Sequence, residues 1–364
     1  MLVKDVIDFL NSYAPLDYAE DFDNAGLIVG DKNDKVNGII ICLDTTKEVV
    51  QEAIDSNKNF IISFHPIIFS GLKKLSPGNY VNDSILLAVK NDISIFSIHT
   101  ALDNSIKGVN MKLCEVLGIN NPKILMPKTK TIKKLTTYIP KKDAENLRKK
   151  LFGIGAGSIG KYENCSFSYE GIGTFKANKN SNPTLGVKQK DTEVEEVCVN
   201  ITFLKHLEEM VLFGLREVHP YEEIAYELNT LENINENIGM GMVGELKQAI
   251  SEKELFELIE NKLGSKFLKH SKLLKKPIKK IAVLGGSGSF GIEKAISVKA
   301  DAYITSDLKY HDYFKADKKI LLADIGHYES EHYTKELILE FLNEKIPKFA
   351  CIISKSNTNP VNYF

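Results

Sequence analysis

The sequence predicts an α/β protein in which a small βαββαβ domain interrupts a larger α/β domain. Three observations carry this reading. Strand and helix signals alternate through the first third of the chain, they alternate again through the last third, and the middle follows a different order with its own glycine-rich turns. A chain of 364 residues is long enough for two domains, each with its own core.

Val3, Val6, Ile7 and Leu10 recur at helical spacing, so the chain opens on an amphipathic helix. Residues 38–44 form an apolar, β-branched strand, and 46–57 a helix capped by Thr46. A strand over 60–65, a helix over 82–90, a strand over 93–99 and a helix over 109–117 closed by Gly118 follow. Such alternation implies parallel strands with crossover helices. The last third reads as strand 279–284, helix 292–298, strands 302–305 and 320–324, helix 329–342 and strand 349–354. The pattern leaves open whether these two thirds share one mixed sheet or form two packed halves.

The middle reads as strand 134–139, helix 142–152, strands 162–169 and 195–203, helix 204–218 and strand 224–231. That order is the ferredoxin-like arrangement. Glycines cluster at its turns, in Gly153-Ile-Gly155-Ala-Gly157 and Gly171-Ile-Gly173. Residues 126–131 and 232–237 read as linkers. The domains expected are therefore 1–127 with 238–364, and an insert over 128–237.

Composition is that of an ordinary globular protein, at 43% hydrophobic and 26% charged. A net charge of -1 gives no global attraction to nucleic acid or to a membrane surface. The lysines within 269–280 read as a solvated linker. The five cysteines are scattered and form no CxxC, which points to a reducing compartment. With no signal-peptide pattern and no apolar stretch long enough to cross a bilayer, the expected location is the cytoplasm.

Asp44, His65, His99 and His327 all stand at the carboxyl ends of predicted strands, where open α/β sheets bind ligands. Asp103 follows His99 by four residues, and Glu331 follows His327 by four, which places each pair on one helical face. Any one of these is ordinarily a polar group capping a loop; together they point to a metal site. Imidazole and carboxylate suit zinc, manganese, iron or cobalt without choosing among them. A carboxylate can bridge two ions about 3.5–4 Å apart, and a bound ion lowers the pKa of water to roughly 7, which suits hydrolysis.

Other motifs keep two readings. Asn24, in Asp21-Phe-Asp23-Asn24-Ala-Gly26, is turn chemistry or a substrate hydrogen-bonding group. Gly239-Met-Gly241-Met-Val-Gly244 matches GxGxxG, but a polar stretch precedes it, so the dinucleotide fingerprint fails. Gly285-Gly-Ser-Gly-Ser-Phe-Gly291 lies between a strand and a helix and reads equally as an anion-binding loop or a tight turn. His219-Pro-Tyr-Glu-Glu223 is a metal or proton-transfer group, or a polar corner or subunit contact. His311 is a candidate pocket histidine; His206, His270 and His332 read as surface residues.

Taken in order, Asp23-Asn24-x-Gly26-Leu, His65-Pro66-x-x-Phe69, His99-Thr-x-x-Asp103, Ile304-Thr305-x-Asp307-x-x-x-His311 and Gly326-His327-x-x-x-Glu331 resemble the NIF-three-like dinuclear metal centre family. Its bacterial members are often named GTP cyclohydrolase I type 2 homologues. The middle resembles the CutA/PII-like insert of longer members, on Gly155-Ala-Gly157-x-Ile-Gly160-x-Tyr162-x-x-Cys165, Gly171-x-Gly173-Thr-Phe175 and His219-Pro-Tyr-Glu-Glu223. The resemblance implies a NIF-three-like α/β domain in two halves and a homo-hexameric ring with metal sites facing an internal cavity. By position, His65, Asp103 and Glu331 would hold one metal, and His327 and Glu331 a second, with Glu331 bridging. The family usually carries two consecutive histidines before the proline; the first is Phe64 here, which cannot ligate. A water, His99 or a weak second site would then replace it, so one or two ions per chain are expected. The resemblance also implies a metal-dependent hydrolase of a nucleotide-like substrate, opening the guanine imidazole ring of GTP. Asn24 and the 285–289 loop would orient substrate, and His99 or His311 would relay protons. The alternative is a non-catalytic scaffold ring that stores, inserts or senses metal. A DNA-associated role has no support from charge or motif.

Overall fold

Ile39–Cys42, Phe60–Ser63 and Ser94–Ser97 are buried at every position, which is why they read as continuous apolar runs rather than alternating ones. In the computed structural model, which describes residues 1–362, they are the parallel centre of a five-stranded sheet. Cys351–Ile353 extends that sheet in parallel beside Ile39–Cys42, and Gly26–Val29 closes the other edge antiparallel to Ser94–Ser97. A second, six-stranded sheet has Ile278–Ser287, Ala302–Ser306 and Leu321–Asp324 as its parallel centre. Asn235–Ile250 pairs antiparallel with Ile278–Ser287, Asn120–Lys128 lies beyond it, and Lys269–His270 forms the far edge. The protein is thus a mixed α/β fold with separate sheets, which answers the question the sequence pattern left open.

The halves are interlaced. Thr334–Lys345, near the end of the chain, buries Leu337, Ile338, Phe341 and Leu342 in the same core as Val3, Val6 and Leu10 of the first helix, Val3–Tyr13. Asn120–Lys128, from the first third, joins the sheet built mainly from the last third. Local caps fall where the sequence places them: Thr46 accepts from the Val49 amide at the start of Lys47–Asp55, and Gly118 takes φ 70° after Val109–Leu117.

Several local expectations need correction. The predicted linkers at 126–131 and 232–237 overlap the ends of Asn120–Lys128 and Asn235–Ile250. Their polar sequences, the second rich in asparagine, are carried into strands by long-range pairing, which outweighs weak local propensity. The GxGxxG segment lies inside Asn235–Ile250, where a Cβ on Gly239 would stand 2.1 Å from the Met126 carbonyl oxygen. Those glycines allow close backbone approach rather than forming a phosphate loop. The helix expected over 329–342 is two helices, His327–Glu331 and Thr334–Lys345. The helix Glu252–Leu263 was not anticipated, although Ser251 and Glu254 spell out its capping box.

By its contacts the chain divides into two units, Met1–Pro127 with the chain from Glu236 onward, and Lys128–Asn235. The smaller unit has an antiparallel sheet in the order Phe167–Lys176, Asp191–Leu204, Ile132–Pro140, Tyr226–Leu231. Helices Ala144–Gly153 and Glu208–Val218 cover one face, burying Leu147, Leu151, Val211 and Leu215 against Leu135, Val199 and Ile201. The strand expected at 162–169 begins only at Phe167, because Gly160 and Asn164 take positive φ and hold the chain in turns. No helix among the described residues is long and apolar enough to cross a membrane.

Leu342 is fully buried where the end of the chain docks on the first sheet. Leu342→Ala is expected to cost about 2–5 kcal/mol of unfolding free energy, read from the urea midpoint. A loss no larger than that of an exposed substitution would mean the C-terminal helix is not part of the cooperative core.

Candidate metal centre

The carboxyl ends of parallel strands from both sheets face one cavity of about 520 Å³, lined by His65, His99, Asp103, His327 and Glu331 among others. His65 follows Phe60–Ser63 directly and is fixed there by a backbone hydrogen bond to the Leu43 carbonyl, 2.9 Å. His327 opens the five-residue helix His327–Glu331 after Leu321–Asp324, so Glu331 lies one turn further on the same side.

Both imidazoles converge on one carboxylate oxygen. Nε2 of His65 and Nε2 of His327 each stand 3.1 Å from Glu331 Oε2. Neither contact is aligned as a hydrogen bond, and Oε2 is buried with no hydrogen-bond partner. Asp103 Oδ1 is buried on the same cavity and likewise lacks one. Buried polar atoms nearly always have a partner. Ligand atoms of His65, His327 and Glu331 all lie within 4.8 Å of one another. Two imidazole nitrogens with two orphaned carboxylate oxygens are a donor set that fits a divalent transition ion.

Each histidine is backed by a carboxylate on its other nitrogen. Asp44 lies 2.8 Å from His65 Nδ1, Asp307 2.7 Å from His327 Nδ1, and Asp23 2.7 Å from His99 Nδ1. Such partners fix ring orientation and tautomer, leaving Nε2 of His65 and His327 aimed at the cavity. Thr358 donates to the second oxygen of Asp44, and Asp23 also accepts from the Thr100 amide and hydroxyl. His99 takes φ 25°, a strained value for a histidine, held by Asp23 and by its amide on the Phe64 carbonyl.

Charge is held unequally in the metal-free centre. Burial disfavours the imidazolium of His65, but the Asp44 and Glu331 carboxylates outweigh it and lift the pKa to about 10. The same balance, with Asp307 and Glu331, lifts His327 to about 11. Burial pushes Glu331 upward, yet the two imidazoles pull it down to about 2. Burial and then the negative Glu331 raise Asp103 well above the ordinary carboxylate range. Both imidazoles therefore carry their ring protons at neutral pH, and a ligated cation would displace them.

The glycine loop has a reason other than anion binding. The amides of Gly285 and Gly286 already donate to Asn110 Oδ1 and Ser330 Oγ, each at 2.9 Å. Gly286 takes φ 69°, and a Cβ there would stand 2.3 Å from Glu331 Oε1. The loop is a tight turn that lets backbone close over the buried carboxylate.

Asn24 and His311 do not line this cavity. The Asn24 amide donates to the Ile68 carbonyl at 2.6 Å and ties a loop down. His311 is exposed on Tyr310–Ala316, against the rings of Tyr310 and Phe314. His332 is half-buried rather than on the surface, and burial lowers its pKa. Asp23 and Asp307 were not singled out from the sequence, although both stand inside the quoted motifs; their signal was proximity to His99 and His327 in space, not in spacing. Phe64, fully buried, packs its ring 4.9 Å from that of His65 and 5.6 Å from that of His99.

Asp307→Asn keeps the shape of the His327 partner and removes its charge. It is expected to weaken divalent-metal affinity about 10–100-fold, measured by competition with a chromogenic chelator; unchanged affinity would show that Asp307 does not orient the ligand.

A protein-family model described as Duf34/NIF3 (NGG1p interacting factor 3) matches residues 1–360. A Staphylococcus epidermidis protein named GTP cyclohydrolase 1 type 2 homolog is 32% identical over 369 residues, covering 100% of both chains. A Bacillus subtilis protein of the same name is 32% identical over 99% of this chain and 98% of its own. Among solved structures, a Bacillus cereus protein related to NIF3 matches with a TM-score of 0.85 and 32% identity, over 100% of this chain and 99% of that one. A Staphylococcus aureus protein matches with a TM-score of 0.78 and 29% identity, over 100% and 99%. The chain belongs to the Duf34/NIF3 family and has its mixed α/β fold.

Proposed function

We propose that this protein is a divalent-metal-dependent hydrolase of a nucleotide-like substrate. The observation that carries the reading is the convergence of His65, His327 and Glu331 donors within 4.8 Å, beside two buried carboxylate oxygens with no hydrogen-bond partner. His65, His327, Glu331 and Asp103 are the ligands; zinc, manganese, iron and cobalt all suit them, at one or two ions per chain. When bound, such an ion supplies Lewis acidity and lowers the pKa of water to roughly 7. Asp44 and Asp307 hold the ring protons at Nδ1 of His65 and His327. His99, its ring centroid 5.3 Å from that of His65, is the group placed to hold a proton at the cavity wall. Exposed Phe22, Phe69 and Phe290 line the same cavity and offer apolar faces to a planar base. The GTP-directed name of the relatives supports that substrate class.

One observation favours a second reading, a non-catalytic metal-holding scaffold. Phe64 fills the position where the family resemblance places a histidine, so a second ion loses a protein ligand. Metal-dependent loss of GTP under the wild-type protein, absent from Glu331→Ala, supports the hydrolase; tight metal binding with no turnover of any nucleotide tested supports the scaffold. The strand order of the smaller unit supports a ferredoxin-like, CutA/PII-like insert. A homo-hexameric ring and a cytoplasmic location complete the proposal on the family resemblance and the free cysteines; light scattering on the purified chain measures the first and fractionation the second.

Two measurements test the centre itself. Metal per chain, by plasma mass spectrometry on protein purified without chelator, should fall to background in Glu331→Ala. Near one ion in wild type that rises in Phe64→His marks a single-metal variant, whereas metal retained by Glu331→Ala removes Glu331 from the centre. The second is pH dependence. His65 and His327 are protonated below about 10 and 11 in the metal-free state, and ligation needs them neutral. Affinity should therefore rise with pH across the neutral range, and binding at neutral pH should release protons, read by calorimetry in buffers of different ionisation enthalpy. A pH-independent affinity with no proton release would contradict this assignment.

A further inference from the structure

Two motifs of the smaller unit are unused by the metal centre, Gly171-x-Gly173-Thr-Phe175 and Pro220-Tyr221-Glu222-Glu223. Both line one cavity of about 580 Å³ that lies wholly within that unit. Its floor is the sheet face turned away from the helices. Tyr138 and Tyr169 both stand opposite Cys198 across the ladders, and Pro140 and Gly171 both stand opposite Glu196. Directly opposed residues share a face, so two tyrosine rings flank Cys198 next to a carboxylate. At Gly171 an added Cβ meets nothing within 4 Å, whereas at Gly173 it would stand 2.2 Å from Glu196 Oε2, so the carboxylate lies over that glycine and the floor is open beside it.

The walls are built rather than incidental. The 177–190 loop is tied down by the Asn182 amide on Glu222 Oε2, 2.6 Å, and by the Thr184 hydroxyl on the Pro220 carbonyl, 2.6 Å. His219 is 8% exposed and bonds the Tyr138 carbonyl and the Tyr221 amide at 3.0 and 3.2 Å. Of its two sequence readings the structure favours a polar corner, which sets Tyr221 in place. The Tyr221 hydroxyl then donates to Glu196 Oε1 at 2.7 Å.

The lining has a marked chemical bias. It contains Glu196, Glu222 and Glu223, and no lysine, arginine or histidine. It also contains the rings of Tyr138, Tyr169, Phe175 and Tyr221. Carboxylates repel an anion and leave a cation paired, while aromatic faces attract a cation through the ring quadrupole. A cavity of this size with a mostly apolar lining and a few placed polar groups is the usual form of a small-molecule site.

We propose that the smaller unit binds a small organic cation at this cavity, an amine, amidine or quaternary ammonium carried on an apolar body. The cationic head pairs with Glu196 beside Tyr221, and the body lies along Tyr138, Tyr169 and Phe175. The proposal does not rest on the metal centre.

The test is calorimetric and ligand-observed NMR titration of the full chain with phenethylamine, benzyltrimethylammonium and the anionic counterpart 3-phenylpropionate. The cations should bind at least about tenfold more tightly than the anion. Glu196→Gln, which keeps a group to accept from Tyr221, should weaken them about tenfold. Gly171→Leu, which fills open space, should abolish binding while leaving the melting temperature and metal content unchanged. Equal binding of cation and anion, binding by none of the probes, or wild-type binding by Gly171→Leu overturns the proposal. A fall in oligomeric mass on Gly171→Leu without cation binding also overturns it and identifies the face as a contact between copies of the chain.

Discussion

Glu331 is the constraint on which the larger unit is organised. A buried carboxylate is costly unless its charge is compensated, and here the compensation comes from both sheets. His65 is delivered by the end of a strand in the first sheet, and His327 by the end of a strand in the second. Backbone from a third strand must pass close beside the carboxylate, which only glycine at 286 permits. The outer carboxylates Asp44 and Asp307 then compensate the histidines in turn. The centre is a layered arrangement of alternating charge, and each layer is anchored on a different strand end.

The donor set of that arrangement fits a divalent cation. The centre carries two imidazolium rings, one carboxylate pulled down to about 2 and a second, Asp103, pushed well above the ordinary carboxylate range by burial and by Glu331. The protons stand where a divalent ion would otherwise supply the positive charge. The two orphaned oxygens mark where proton compensation falls short, because a proton on Nε2 satisfies one direction and an ion satisfies several donors at once.

The parts of this centre that depend on local spacing were legible in the sequence. His65, His99 and His327 end apolar runs, and Asp103 and Glu331 follow at one helical turn. What was not legible depends on distance in space. Asp23 sits 76 positions before His99, and Asp307 sits 20 before His327, so neither pairing has a periodic signature. The place of Asn24 and His311, off this cavity, was open in the sequence for the complementary reason: a polar residue beside a motif has the same appearance whether it lines a cavity or ties a loop. The interlacing of the halves was hidden too, because Asn120–Lys128 and Asn235–Ile250 owe their strand form to partners far along the chain. The break between His327–Glu331 and Thr334–Lys345 has neither glycine nor proline to announce it.

Interlacing also joins the centre to the core of the fold. The chain supplies His327 and Glu331 from a strand end of the second sheet, then at once runs into the helix whose leucines complete the core beneath the first. Glu331 and the buried Leu337 and Leu342 are thus joined within about three turns of chain. An ion that binds only the folded arrangement stabilises it by mass action, about 2.7 kcal/mol at a hundred times its dissociation constant. The same covalent continuity would make occupancy of the centre by such an ion part of the stability of both sheets, rather than a local event at their rim.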